Sequence, residues 1–99
     1  MLKGYKDIVK NHEFRHRYLY DENKQRAGVV ILVKEEIDGK SKYYAGYSIC
    51  SKLEKNFDKE LGKAIAILRA KSGKADFDKI PDKFRKQAEI KLAALSYKY

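Results

Sequence analysis

A two-residue turn between two strand-like segments constrains this chain more than any other feature. Asp38-Gly39 separates the apolar segment Gly28–Ile37 from the tyrosine-containing segment Lys40–Cys50. Asp-Gly is typical of type I′ hairpin turns, because both central residues of that turn take positive φ. The sequence therefore predicts an antiparallel hairpin, in which the two segments are neighbouring strands.

The turn also fixes which residues of the two strands face each other. The predicted pairs are Ile37 with Lys40, Glu35 with Lys42, Val33 with Tyr44, Ile31 with Gly46, and Val30 with Tyr47. A glycine inside a strand weakens it unless another backbone or a ligand must approach closely. We therefore expect a close approach at Gly46, with packing favoured over a ligand.

Two further elements precede the hairpin. Phe14 to Tyr20 alternates aromatic or histidine residues with arginine and leucine, which is the period-2 pattern of a strand. Before it, Leu2, Tyr5, Ile8 and Val9 recur at helical spacing and predict a short helix that ends near Asn11. Asp21-Glu22-Asn23-Lys24 has the composition of a turn.

Two helices are predicted after the hairpin. The first runs from Phe57 to Ala70, with Asn56 as its N-cap and Gly73 as its C-terminal stop. Its predicted apolar stripe consists of Phe57, Leu61, Ile65 and Leu68. The second has Pro81 in its first turn and a stripe of Phe84, Ala88, Leu92 and Leu95.

The predicted architecture is one α+β domain over residues 1–99, a three-stranded antiparallel meander followed by two helices, with a short N-terminal helix. Three strands leave two open edges and one uncovered face. Because small domains often cover such surfaces with a second subunit, we expect a homo-oligomer, a dimer or higher.

The charge balance indicates an anionic partner. The chain has 23 Lys and Arg against 14 Asp and Glu, a formal charge of +9. No apolar run approaches the roughly 20 residues of a membrane-spanning helix, and lysines interrupt the N-terminus, so neither a membrane protein nor a signal peptide is expected. The single cysteine, Cys50, fits a reducing cytoplasm.

Catalytic residue patterns are not evident. His12 and His16 lie four residues apart, but on a strand they are too far apart to chelate a metal, and no Cys or carboxylate cluster completes a site. Cys50 with His16 is the one candidate nucleophile–base pair, and nothing local supports it. We expect a binding protein without a cofactor and without enzymatic activity.

Arginines are the best candidates for contacts to phosphate, because a guanidinium grips phosphate through two hydrogen bonds. Tyrosine rings can stack on bases, and the N-terminus of a helix can hold an anion. The predicted ligand-binding residues are Arg69, Asn56, Arg15, Arg17, Arg26 and Tyr47. Each has a structural alternative: Arg69 can complement its helix dipole, Tyr47 can pack in the sheet, and Asn56 can act only as a cap.

The segment Ser48 to Ala70 also carries a recognisable pattern. A strand ending at Cys50 is followed by Phe57-Asp58-Lys59, then Gly62, Ala66 and Arg69-Ala70. This order resembles the phage Thoeris anti-defence sponge family, which sequesters cyclic ADP-ribose signals. The resemblance covers residues 28 to 72. By motif position, Arg69 matches the helix arginine of the family.

The resemblance implies a phage protein in the cytoplasm of the bacterial host cell. It would bind a cyclic nucleotide immune signal, of the cyclic ADP-ribose type or a cyclic oligonucleotide, and hold it without cleavage. Such sponges are oligomers with pockets between subunits. The alternative from charge alone is a small basic phage accessory protein that binds nucleic acid. A third alternative, an inhibitor that acts by protein contact, remains open.

Overall fold

A computed structural model describes residues 4–50, 58–73 and 76–98 of the chain. The elements in chain order are α1 (Tyr5–Lys10), β1 (Glu13–Tyr20), β2 (Arg26–Ile37), β3 (Lys40–Ile49), α2 (Lys59–Ser72), a 3₁₀ turn (Phe77–Lys79) and α3 (Asp82–Lys98). The three strands form one antiparallel sheet in the order β1-β2-β3. The predicted α+β class, the meander and the helices that follow it are confirmed.

The β2–β3 hairpin has the predicted turn and register. Asp38 and Gly39 take φ values of 53° and 77°, as a type I′ turn requires. All five predicted pairs occur, from Ile37 opposite Lys40 to Val30 opposite Tyr47. Strand ends differ from the prediction by one or two residues. The Asp21–Lys24 turn is also present, and the Asp21 carboxylate accepts hydrogen bonds from two backbone N–H groups at its end.

Both faces of the sheet are covered, in three layers. Helices α1 and α2 pack on one face against alternate residues of β2, and α3 packs on the other. The α2-side core contains Val29, Ile31, Val33, Ala66, Ile67 and Ala70. The α3-side core contains Leu19, Val30, Leu32, Tyr47, Ile80, Phe84, Ala88 and Leu95. The predicted uncovered face is therefore wrong; the expected homo-oligomer also rested on the two open edges and stays a prediction.

Helix α2 begins later than predicted. Its N-cap is Asp58, whose carboxylate accepts hydrogen bonds from the backbone N–H groups of Glu60 and Leu61, both at 3.1 Å. The predicted cap, Asn56, lies outside the described residues, and so does Phe57. Gly73 ends the helix with φ 71°, as predicted. In α3 the helix begins at Asp82, directly after Pro81, and the predicted apolar stripe faces the core.

The buried face of α2 is not the predicted one. Leu68 is 40% exposed, whereas the small residues Gly62, Ala66 and Ala70 are buried. The reason lies in β3, where a Cβ added to Gly46 would overlap the carbonyl oxygen of Ala66. Close backbone approach, favoured above for Gly46, is thus what the glycine permits, and the small-residue face of α2 is the one that fits it.

Candidate functional site: a cationic and aromatic groove at the edge of β1

Polar side chains from the helices reach around both open edges of the sheet. On the β3 edge, Arg69 Nη1 donates a hydrogen bond to the carbonyl oxygen of Tyr47 at 3.1 Å. On the β1 edge, the Gln87 side chain accepts from the N–H of Tyr20 at 3.0 Å and donates to the carbonyl of the same residue at 2.8 Å. These side chains replace the strand that an open edge would otherwise bind.

Arg69 and Tyr47 are brought together, but in a structural contact. Tyr47 is 9% exposed as a residue, and its ring centroid lies 5.2 Å from that of Phe77 and 5.6 Å from the Arg69 guanidinium. Its hydroxyl donates to the carbonyl of Asp76 at 2.9 Å. Because the ring is buried with neighbours of this kind, the predicted stacking of a base on Tyr47 does not fit its position.

Of the arginines predicted at the N-terminal side, the two on β1 lie on the other edge of the sheet. Arg15 and Arg17 are exposed residues of β1, on the face that α3 covers, and Arg26 begins β2. Two strand spacings, about 9.6 Å, separate β1 from β3 at the least. One chain therefore does not gather Arg69 with Arg15 and Arg17.

A groove along the β1 edge is lined by cations and aromatic rings. We call it the β1-edge groove; its lining residues are His16, Arg17, Tyr18, Tyr20 and Lys91. It encloses about 330 Å³, which is at the lower end of the range for small-molecule sites. None of the five lining side chains is a carboxylate.

Two elements supply the cations that line this groove, and a third supplies a cation against the Tyr18 ring. Lys91, from α3, donates to the carbonyl of Tyr18 at 2.6 Å, and its ammonium lies 4.6 Å from the Tyr20 ring centroid. Arg26, from β2, lies 4.7 Å from the Tyr18 ring centroid. Arg17 comes from β1 itself. Cations held against tyrosine rings in this way retain donors for an anion that enters the groove.

His16 is one of the residues that line the groove, and its ring lies between two other rings. Its ring centroid is 5.1 Å from that of Tyr18 and 5.9 Å from that of Phe14. Burial, followed by the positive charges of Lys63 and Arg17, lowers the pKa of His16, and the negative charge of Glu60 opposes them only in part. These surroundings favour the neutral imidazole over the imidazolium.

The sequence analysis nominated one groove-lining cation, Arg17, and the neighbouring Arg26, but it missed Lys91 and gave His16 no binding role. Lys91 has the spacing of an outward residue on α3, and nothing local indicates that it reaches a strand 73 residues earlier. The alternation of Phe14, His16, Tyr18 and Tyr20 did place the last three on one side of β1, which is the available signal.

The described residues contain no group of three or more His, Cys, Asp or Glu side chains that could hold a metal ion. Over the same ranges, no helix is both long and apolar enough to cross a membrane. The fold and groove define a small α+β domain with a cationic and aromatic edge groove. No protein-family model, curated protein or solved structure matches the chain.

Proposed function

We propose that the protein binds a phosphate-bearing nucleotide in the β1-edge groove. In this proposal it acts as a phage anti-defence protein that sequesters a cyclic nucleotide immune signal, of the cyclic ADP-ribose type or a cyclic oligonucleotide, in the host cell. The observation that carries the proposal is the groove itself, which Arg17 of β1 and Lys91 of α3 line together with Tyr18 and Tyr20, while Arg26 of β2 lies against the Tyr18 ring.

The chemistry of the groove suits the two parts of a nucleotide. Guanidinium and ammonium groups bind phosphate oxygens through charge-assisted hydrogen bonds, which are stronger than neutral ones. Tyr20 is 38% exposed, so part of its surface is available to a base. The resemblance noted above supplies the physiological part of the proposal, including retention of the nucleotide without cleavage.

The groove differs from the site expected from the motif. Arg69 was expected to grip a phosphate, but it bonds the Tyr47 carbonyl on the opposite edge. One chain builds the whole β1-edge groove, so binding there does not require the predicted homo-oligomer. Sedimentation velocity at several protein concentrations measures the oligomeric state separately.

Isothermal titration calorimetry tests the proposal directly. The titrants are cyclic ADP-ribose isomers, linear ADP-ribose and cyclic di- and trinucleotides. After the titration, the protein is heated to release the bound nucleotide, which is identified by mass spectrometry. We expect at least one titrant to bind and to be recovered intact. If no titrant gives a heat of binding, the proposal is refuted. If a cleaved product is recovered, the protein acts by catalysis and not by sequestration.

Charge variants locate the site. Arg17→Gln and Lys91→Met each remove a cation from the groove, and each is expected to weaken binding by about tenfold, as expected for one charge-assisted contact. The matched controls are Lys42→Gln on β3 and Lys86→Met on α3, both exposed cations that do not line the groove. Equal losses of affinity in the groove variants and in the controls would indicate that the ligand is bound by net charge alone.

The second candidate function is nucleic-acid binding, which the net charge of +9 favours. It predicts gel-shift binding of a single-stranded oligonucleotide whose affinity falls steeply with salt, because each neutralised phosphate releases counterions. An affinity that is unchanged between 50 and 200 mM salt, the range over which such complexes weaken by orders of magnitude, would exclude this candidate.

A further inference from the structure

We propose that the first part of β1, from Phe14 to Arg17, is a docking edge for an acidic peptide in extended conformation, which adds to the sheet as a further strand. The partner is a segment of another protein in which acidic and apolar residues alternate. The inference goes beyond the proposed function, because it is argued from the backbone of the edge strand and does not depend on a nucleotide.

The hydrogen bonds of α3 show which backbone groups of β1 face away from β2. Gln87 binds both the N–H and the carbonyl of Tyr20, and the carbonyl of Tyr18 also accepts a hydrogen bond from α3. Because the backbone groups of successive residues in an antiparallel strand point to opposite sides, those of Phe14 and His16 face outward as well. In the part of the chain that the structure describes, no other residue forms a hydrogen bond with these outward groups.

Helix α3 therefore covers one end of the β1 edge and leaves the other end open. The open end, residues 13–17, is about 17 Å long at about 3.4 Å per residue. It offers the N–H and carbonyl groups of Phe14 and His16 to a strand laid beside it, and an edge of this kind is a template for strand addition. The β1-edge groove follows the same edge, since His16, Tyr18 and Tyr20 are among its lining residues.

The side chains beside this edge favour an acidic partner. Arg15 and Arg17 are exposed and lie two residues apart on the face of β1 that α3 covers. On the other face, Phe14 and His16 are half-buried. An added strand places its side chains alternately on these two faces, and opposite charges on neighbouring strands stabilise their pairing. Carboxylates therefore fit beside the arginines, and apolar side chains fit beside the aromatic row.

A second copy of β1 is the alternative occupant, and charge disfavours it. Antiparallel pairing centred on His16 places Arg15 of one copy opposite Arg17 of the other, and like charges in that position are destabilising. Glu13 does not compensate, because its carboxylate lies 3.8 Å from the ammonium of Lys34 in the same chain. The edge is therefore better matched to an acidic strand than to itself.

The test uses a peptide of about seven residues, long enough to span the open edge, in which glutamate alternates with valine. Binding to isotope-labelled protein is followed by NMR through amide shifts and hydrogen exchange. We expect saturable binding and slower exchange of the Phe14 and His16 N–H groups. The same peptide with lysine in place of glutamate should not bind. Saturable binding that leaves both exchange rates unchanged would overturn the inference.

Backbone methylation separates strand addition from attraction by charge. In an antiparallel addition the valines lie opposite Phe14 and His16, so their N–H groups face β1 and those of the glutamates face away. Methylation of two valine nitrogens should weaken binding by about tenfold or more, as expected for two lost hydrogen bonds, whereas methylation of two glutamate nitrogens should leave it nearly unchanged. The reverse order would support the same docking in parallel orientation. Equal affinities of all three peptides would refute it.

Protein variants locate the docking edge. Arg17→Gln should weaken binding of the acidic peptide severalfold, whereas Lys42→Gln, an exposed cation of β3, should not. Equal losses in the two variants would contradict docking at β1. If the peptide does not bind and the His16 N–H becomes protected as protein concentration rises, the occupant is a second copy and the inference is wrong.

The outcome is independent of the proposed function. A protein that binds a nucleotide but not the peptide keeps the proposed function and refutes this inference. A protein that binds the peptide and none of the nucleotides gives the opposite result. Because Arg17 lines the groove and also flanks the docking edge, a protein that binds both ligands should lose affinity for the nucleotide when the peptide is saturating.

Discussion

Gly46 of β3 and Ala66 of α2 are in such close contact that a side chain on the glycine would overlap the alanine carbonyl oxygen. The same added Cβ would lie 2.9 Å from the Cβ of Ala70, one helical turn further on. This contact sets α2 directly against the edge strand. Arg69 then lies beside β3, where its guanidinium reaches the Tyr47 carbonyl.

Gly46→Ala is expected to lower the free energy of unfolding by about 2–3 kcal/mol, because the clash involves a backbone atom and the helix must move. Urea denaturation measures the change. Gly39→Ala is the control, since its added Cβ meets nothing within 4 Å and only the positive φ is strained, at about 1 kcal/mol. A Gly46 variant as stable as the Gly39 variant would contradict the packing argument.

Gln87→Ala is expected to destabilise the protein by about 1–2 kcal/mol, because it removes two hydrogen bonds to the backbone of Tyr20. The same change opens the β1 edge, so we also expect concentration-dependent association in sedimentation experiments. Lys86→Ala, an exposed neighbour, should change stability by less than about 0.5 kcal/mol. If the two variants behave alike, Gln87 does not protect the edge.

Arg69→Gln separates the two candidate arginine roles. Because Arg69 bonds the Tyr47 carbonyl, the change should cost about 1 kcal/mol of stability while nucleotide affinity stays within about twofold. Arg17→Gln should show the opposite result, a near-normal stability with weaker binding. Thermal denaturation and calorimetry on the same samples measure both. Loss of affinity in the Arg69 variant would restore the site expected from the motif.

The stability of the protein is expected to depend on pH through His16. Its pKa lies below 6.5 in the folded state, so the unfolded chain binds this proton more readily. The stability that arises from this difference in pKa is fully present above pH 6.5 and is lost as pH falls through the folded-state pKa. His16→Gln should remove this part of the dependence. The difference in urea midpoint between the two proteins, followed from pH 7.5 to 5, isolates it; a constant difference would contradict the prediction.

The sequence patterns whose predictions the structure confirms are those in which one short segment determines the local backbone geometry or the buried face. Asp38-Gly39 specifies a turn, and the turn specifies the register of β2 and β3, because hairpin pairing counts outward from the loop. The apolar stripe of α3 predicted its buried face, because packing that face against the sheet removes Phe84 and Leu95 from water.

The prediction for α2 failed because two faces of that helix compete. Leu61, Ile65 and Leu68 form the more hydrophobic stripe, and a sequence argument chooses it. Gly46 allows a closer approach than those three side chains permit, so Ala66, Ile67 and Ala70 pack against the sheet instead. Packing density at that contact outweighs the hydrophobicity of a single side chain.

The sequence by itself determined the order of elements, the hairpin register and the excess of positive charge. Only the tertiary structure decided which face of α2 is buried and which cations converge. Lys91 meets Tyr18 across 73 residues, and Arg69 is directed away from Arg17 by the width of the sheet. The physical reason is that turns and periodicity act between near neighbours, whereas a binding groove depends on how separate elements pack.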